Sequence, residues 1–133
     1  MPHQAKFSDT FVSAMLANGM TQLDNGFCDI YDGAKPADPS VIITTQVRLA
    51  RLRFAAPASP YPSLGITTTV ALTSDVDTVA GTATWCRLSN ASLAAMVDGT
   101  VATADADLVL NTVAIIAHGQ LDISAITFTQ PKG

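Results

Sequence analysis

The segment Thr82–Val101 constrains what this chain can fold into more than any other. Thr82, Thr84, Cys86 and Leu88 alternate with Ala83, Trp85 and Arg87, the period-2 pattern of a strand whose side chains point to opposite faces in turn. Ser89-Asn90-Ala91-Ser92 follows as a turn cluster, because asparagine tolerates positive φ and serine hydroxyls bond to nearby backbone. Leu93 to Val101 then runs back, broken by Asp98-Gly99. The segment reads as a β-hairpin whose return strand has a bulge or second turn at the glycine. Trp85, the single tryptophan, is the expected core anchor, since burying so large a ring organises what surrounds it.

The rest of the composition agrees with a β domain. At 133 residues the chain fits one domain, spanning 1–133, with a real hydrophobic core. It is 48% apolar but 6% aromatic and 14% charged, rich in alanine and threonine. Threonine and valine favour strands. All 11 acidic residues are aspartate, which suits turns and caps better than long solvated helices.

Charge and hydropathy narrow the partners. A net charge of −4 argues against nucleic-acid binding, which calls for a basic footprint. No run of about 18 apolar residues offers a membrane-spanning helix. Met1-Pro-His-Gln-Ala-Lys lacks the apolar core of a signal peptide, so the expectation is a protein made and used without secretion. In that setting Cys28 and Cys86 are expected to be buried free thiols rather than a disulfide.

Taken in order, the chain predicts one N-terminal helix followed by strands. The helix spans 8–18, with an extension to 23 left open. Ser8 caps it, Asp9 meets the positive end of its dipole, and Phe7 staples onto Val12. Phe11 and Met15, and Val12 and Leu16, are i,i+4 pairs that make one apolar face. It either packs on the sheet or serves as an arm that grips a neighbouring subunit.

Asp24-Asn25-Gly26 predicts a turn, Phe27–Tyr31 a short strand, Asp32-Gly33 another turn, and Ala34–Ser40 a proline-rich loop. Val41–Phe54 reads as a long strand, with a bulge near Ala50 where its apolar parity slips, and a helix is the competing reading of Arg48–Phe54. A loop rich in proline leads to Ile66–Thr73, which alternates cleanly. Strands at Asp107–Leu110 and Thr112–Ala117 follow, then a tight hairpin turn at His118-Gly119 with glycine in the strained position. The last strand runs from Gln120 to Thr129. The tally is seven to eight strands and one helix, the pattern of an antiparallel β-sandwich or jelly roll.

No residue cluster announces catalysis. A hydrolase needs a nucleophile with a base, paired carboxylates or a metal cluster. His3 and His118 have no neighbours of triad type, and His118 reads as an exposed turn residue. Asp98, Asp105 and Asp107, like Asp75 and Asp77, are oxygen-rich but match no calcium-binding spacing. They read as turn caps. Arg48, Arg51 and Arg53 gather three of the seven basic residues in one strand. They either keep an edge strand soluble or contact an acidic partner through bidentate pairing.

Ile30-Tyr-Asp-Gly-Ala-Lys-Pro-Ala, Gly81-Thr-Ala-Thr-Trp-Cys-Arg-Leu, Asp98-Gly-Thr-Val, Asp105-Ala-Asp-Leu-Val-Leu-Asn-Thr and Leu121-Asp-Ile-Ser-Ala-Ile-Thr-Phe-Thr stand in this order. With them the chain resembles, from about Phe7 to Thr129, a family of small tailed-bacteriophage virion proteins. Some members of that family are head decoration (cement) proteins with a jelly-roll-like fold. The chain departs from the pattern at Ala104, where glycine is common, and at Cys86, where an aromatic is common. The resemblance implies a structural role on the capsid surface, with synthesis in the host cytoplasm, and no catalytic residues or cofactors. It implies the major capsid protein as partner and a homo-oligomer, dimer or trimer. The candidate contacts are Phe7, Phe11 and Met15 of the helix and Arg48, Arg51 and Arg53. A tail or head-tail junction component is the alternative. A carbohydrate-binding sandwich fits less well, since it needs exposed aromatics.

Overall fold

The hairpin expected at Thr82–Val101 forms the middle of a larger sheet. The computed structural model describes residue 8 and residues 20–58, 66–68, 71–123 and 126–129. Its strands are β1 (Phe27–Tyr31), β2 (Arg48–Arg53), β3 (Ile66–Thr68), β4 (Gly81–Thr82), β5 (Trp85–Ser89), β6 (Ala95–Ala102), β7 (Leu108–Val109), β8 (Ala114–Ile115) and β9 (Thr127–Thr129). Five of them make one sheet in the order β2-β1-β5-β6-β7, while β3 pairs with β9 and β4 with β8. The protein is mostly β. No helix is among the elements of the described residues.

The expected N-terminal helix, 8–18, lies outside the described residues apart from residue 8. Of its extension to Leu23, Met20 and Thr21 are helical, and turn residues 22–25 end it. There the Leu23 N–H donates to the Met20 carbonyl and the Asp24 N–H to that of Thr21. Asn25 then takes a left-handed φ of 56° and opens β1.

Several boundaries differ from the sequence expectation. The expected strand from Thr82 to Leu88 is two elements, β4 and β5. Between them the Ala83 N–H goes to Val113 and the Thr84 N–H to Tyr31. In the β5–β6 hairpin the bulge sits at Met96, where the register jumps from Leu88↔Val97 to Ser89↔Ala95, and not at Gly99. Gly99 pairs with Cys86, and a Cβ there would stand 3.1 Å from Asp107 Cβ. The glycine therefore admits a neighbouring loop and does not mark a bulge. The other expected bulge is present: Ile30↔Ala50 and Tyr31↔Arg48 leave Leu49 as the extra residue beside Ala50.

Val41–Val47 is loop rather than strand, and only Val47 continues the ladder, through Asp32. The expected hairpin at His118-Gly119 is also corrected. His118, not the glycine, has positive φ (55°). The chain there pairs with Thr78, whose carbonyl accepts the His118 N–H, and whose own N–H donates to Gly119.

The apolar core lies on one face of the large sheet. Cys28 and Ile30 of β1 pair with Leu52 and Ala50 on one side and with Leu88 and Cys86 on the other, so alternation puts all six on the same face. Leu72, Leu110, Ile115, Ile123 and Ile126 from outside that sheet pack into the same cluster. Burying each such side chain contributes about 1.5–3 kcal/mol.

Candidate functional site

The opposite face of the same sheet carries charge and aromatic rings. One cross-strand row reads Arg51, Asp29, Arg87, Asp98 over β2, β1, β5 and β6. It resolves into two bidentate pairs. Arg51 Nε and Nη2 donate to the two Asp29 oxygens at 2.8 and 2.9 Å. Arg87 Nε and Nη2 donate to those of Asp98 at 2.7 and 2.9 Å. Each carboxylate raises its arginine further above the ordinary guanidinium value, the hydrogen bond being the main cause. Alternating signs across four strands keep a charged row compatible with burial, because each ion is neutralised by the one beside it.

The next row holds the aromatics. Tyr31 and Trp85 pair directly and stack, with ring centroids 4.6 Å apart and planes inclined by 16°. Trp85 has no exposed surface. The loop between β1 and β2 covers it: Trp85 Nε1 donates to the Asp32 carbonyl at 2.9 Å, and Arg87 Nη1 donates to that of Val41 at 3.0 Å. The Arg87 guanidinium lies 5.4 Å from the Trp85 ring centre. Trp85 thus sits on the face away from the Cys28–Ile30 cluster and fastens a loop to the sheet.

The three arginines of β2 fall into different settings. Arg51 is held by Asp29. Arg53 is exposed, donates through Nε to the Asn25 carbonyl at 3.2 Å, and lies 5.1 Å from the centre of the Phe27 ring, with Arg51 at 4.9 Å. Arg48 is exposed at the other end of the strand. Strand β2 is an edge strand of its sheet, yet its outer side is taken up by residues 73–79. Arg53 and Thr73 exchange backbone bonds, the Arg51 N–H donates to Asp75 Oδ2, and the Val79 N–H donates to Leu49. Phe7, Phe11 and Met15 lie outside the described residues.

The aspartates have varied duties. Asp75 Oδ1 accepts the Asp77 N–H and Asp107 Oδ2 accepts the Thr100 N–H, both as caps. Asp98, by contrast, belongs to a buried ion pair. Among the described residues no three His, Cys, Asp or Glu side chains are grouped to hold a metal ion. His118 Nδ1 lies 2.6 Å from Asp77 Oδ1, both side chains well exposed.

Sequence reasoning missed Asp29, Asp98, Tyr31 and Phe27 as members of one face. One signal was present: Asp29 is a lone charge in the middle of an apolar strand, which demands a partner when both faces are covered. No family model, curated protein or solved structure matches the chain.

Proposed function

We propose that this protein is a bacteriophage capsid decoration protein, a homo-oligomer that binds the assembled major capsid protein and reinforces contacts between its subunits. On this reading the large sheet is one layer of a jelly-roll-like β-sandwich, and the β3–β9 and β4–β8 pairs supply the second.

The observation that carries the reading is apolar surface on the loops. Ile42, Val76 and Ile116 are 82%, 69% and 70% exposed on a domain whose buried charges are matched internally. Side chains of this kind fit seating on another protein. The resemblance of the sequence to tailed-phage virion proteins supports the major capsid protein as that partner. Arg53, exposed beside Phe27, supplies a cation at the rim. A decoration protein stabilises by mass action, since it binds the shell and not its dissociated parts, and many weak copies add up over a lattice.

The test compares shells assembled with and without the chain under heat and osmotic stress. Shells lacking it assemble but fail at lower temperature, and Ile42→Asp with Ile116→Asp lowers occupancy on the shell. Equal robustness, with missing tails or lost DNA, would replace this reading with a head-tail junction component.

A further inference from the structure

The two cysteines of the chain meet in the middle of the large sheet. In the register of β1 and β5, Cys28 faces Leu88 and Cys86 faces Ile30, so the cysteines are diagonal neighbours on the core face. Both are free, and a hydrogen bond joins their thiols. Diagonal neighbours on paired strands stand about 7–8 Å apart at Cα on average, against an upper reach of about 6.8 Å for a disulfide. Thiols already in contact therefore need only a small approach of the two strands to bond. The surroundings are apolar, since Ile30, Ala50, Leu52 and Leu88 share the face. Cys86 keeps 5% of its surface exposed and Cys28 none. Such a site bars bulky thiol reagents and admits only an oxidant of nearly the size of water.

We propose that Cys28 and Cys86 form a redox-sensitive cross-link, a dithiol in a reducing setting that hydrogen peroxide converts into a disulfide between β1 and β5. Cys86, the thiol with some exposure, loses its proton and attacks one peroxide oxygen. The O–O bond breaks, Cys86 becomes a sulfenic acid, and the other oxygen leaves as hydroxide and takes up that proton as water. The Cys28 sulfur then attacks the Cys86 sulfur. The S–O bond breaks, and the departing hydroxide takes the Cys28 proton as a second water. Two thiols are thus oxidised by two electrons while one peroxide is reduced to two waters. The first step is slow in an apolar site, because the thiolate is the attacking form. The product ties together two central strands that are far apart in sequence.

The test exposes the purified, reduced protein to hydrogen peroxide under native conditions. The protein is then unfolded, its free thiols are alkylated, and its disulfide-linked peptides are mapped by mass spectrometry. Both thiols are expected to disappear together, with the Cys28 and Cys86 peptides joined within one chain. Dithiothreitol after unfolding should recover both. The oxidised protein should melt about 5–10 °C higher, as a cross-link constrains the unfolded chain. In Cys28→Ala the reaction should stop at a sulfenic acid on Cys86, trapped by dimedone. In Cys86→Ala the buried Cys28 should oxidise about tenfold more slowly than the wild-type pair, having no exposed partner to react first. Trp85 fluorescence reports that each variant is folded, and the wild-type peptide map decides alone where one is not. Thiols that survive, in the folded protein, peroxide that oxidises the unfolded chain would overturn the proposal. So would links between chains, or sulfinic acid without a linked peptide.

Discussion

Arg87 and Asp98 meet across β5 and β6 through two parallel hydrogen bonds, and their side chains are only 10% and 2% exposed. The same guanidinium holds the Val41 carbonyl of the β1–β2 loop and lies near the Trp85 ring. One arginine therefore joins the middle of the sheet to the loop that covers it.

Removing one member of this pair strands a buried charge. Arg87→Met is expected to cost about 3–5 kcal/mol in denaturant unfolding, and the paired change Arg87→Met with Asp98→Leu much less, because no charge is then left alone. A double variant as unstable as the single one would show that the loop contact, and not the ion pair, sets the cost.

Trp85→Ala should cost about 3–5 kcal/mol, the usual effect of deleting a large buried aromatic. Trp85→Phe keeps the stack on Tyr31 but loses the hydrogen bond to the Asp32 carbonyl, for about 1 kcal/mol. Acrylamide quenching should leave the native tryptophan dark to solvent, and efficient quenching would contradict its burial.

Cys28 and Cys86 are buried free thiols on neighbouring strands. The hydrogen bond to Cys86, and then burial, push the Cys28 thiol well above its ordinary value. Thiol reagents should find both cysteines in the unfolded, unreduced protein and react far more slowly with the native one. Prompt native reaction would contradict this.

Burial chiefly raises the Tyr31 hydroxyl above its ordinary value. A raised folded value means that the contribution to stability is complete below the unfolded value of about 10 and is lost as pH rises through the folded one. Unfolding midpoints should therefore fall in the alkaline range, and less so in Tyr31→Phe.

Gly26→Ala should destabilise far more than Gly81→Ala. A Cβ on Gly26 would stand 2.1 Å from the Ser89 carbonyl oxygen and 2.9 Å from that of Leu23, both backbone. On Gly81 it meets the methyl groups of Leu49, at 2.7 Å for the nearer one, and a side chain can rotate away. Thermal melts of the two variants give the comparison.

Local chemistry made part of this protein legible from sequence. Period-2 alternation marks the β5–β6 hairpin, because a strand side chain points where its parity sends it. The parity slip at Leu49–Ala50 marks a bulge for the same reason, and Asp24-Asn25-Gly26 marks a turn because asparagine accepts left-handed φ. Each of these signals lies within a few residues.

Tertiary structure decided what depends on residues far apart. Arg51 is neutralised by Asp29, 22 positions away, so a run of three arginines in sequence is not three free cations in space. Strand β2 is an edge in the sheet order, yet residues 73–79 occupy its outer side, which no pattern within the strand reveals. The side of the sheet that Trp85 occupies was likewise open, since alternation assigns it a parity but not a face. Parity is a property of the local backbone, whereas the choice of face waits on which distant segment packs against it.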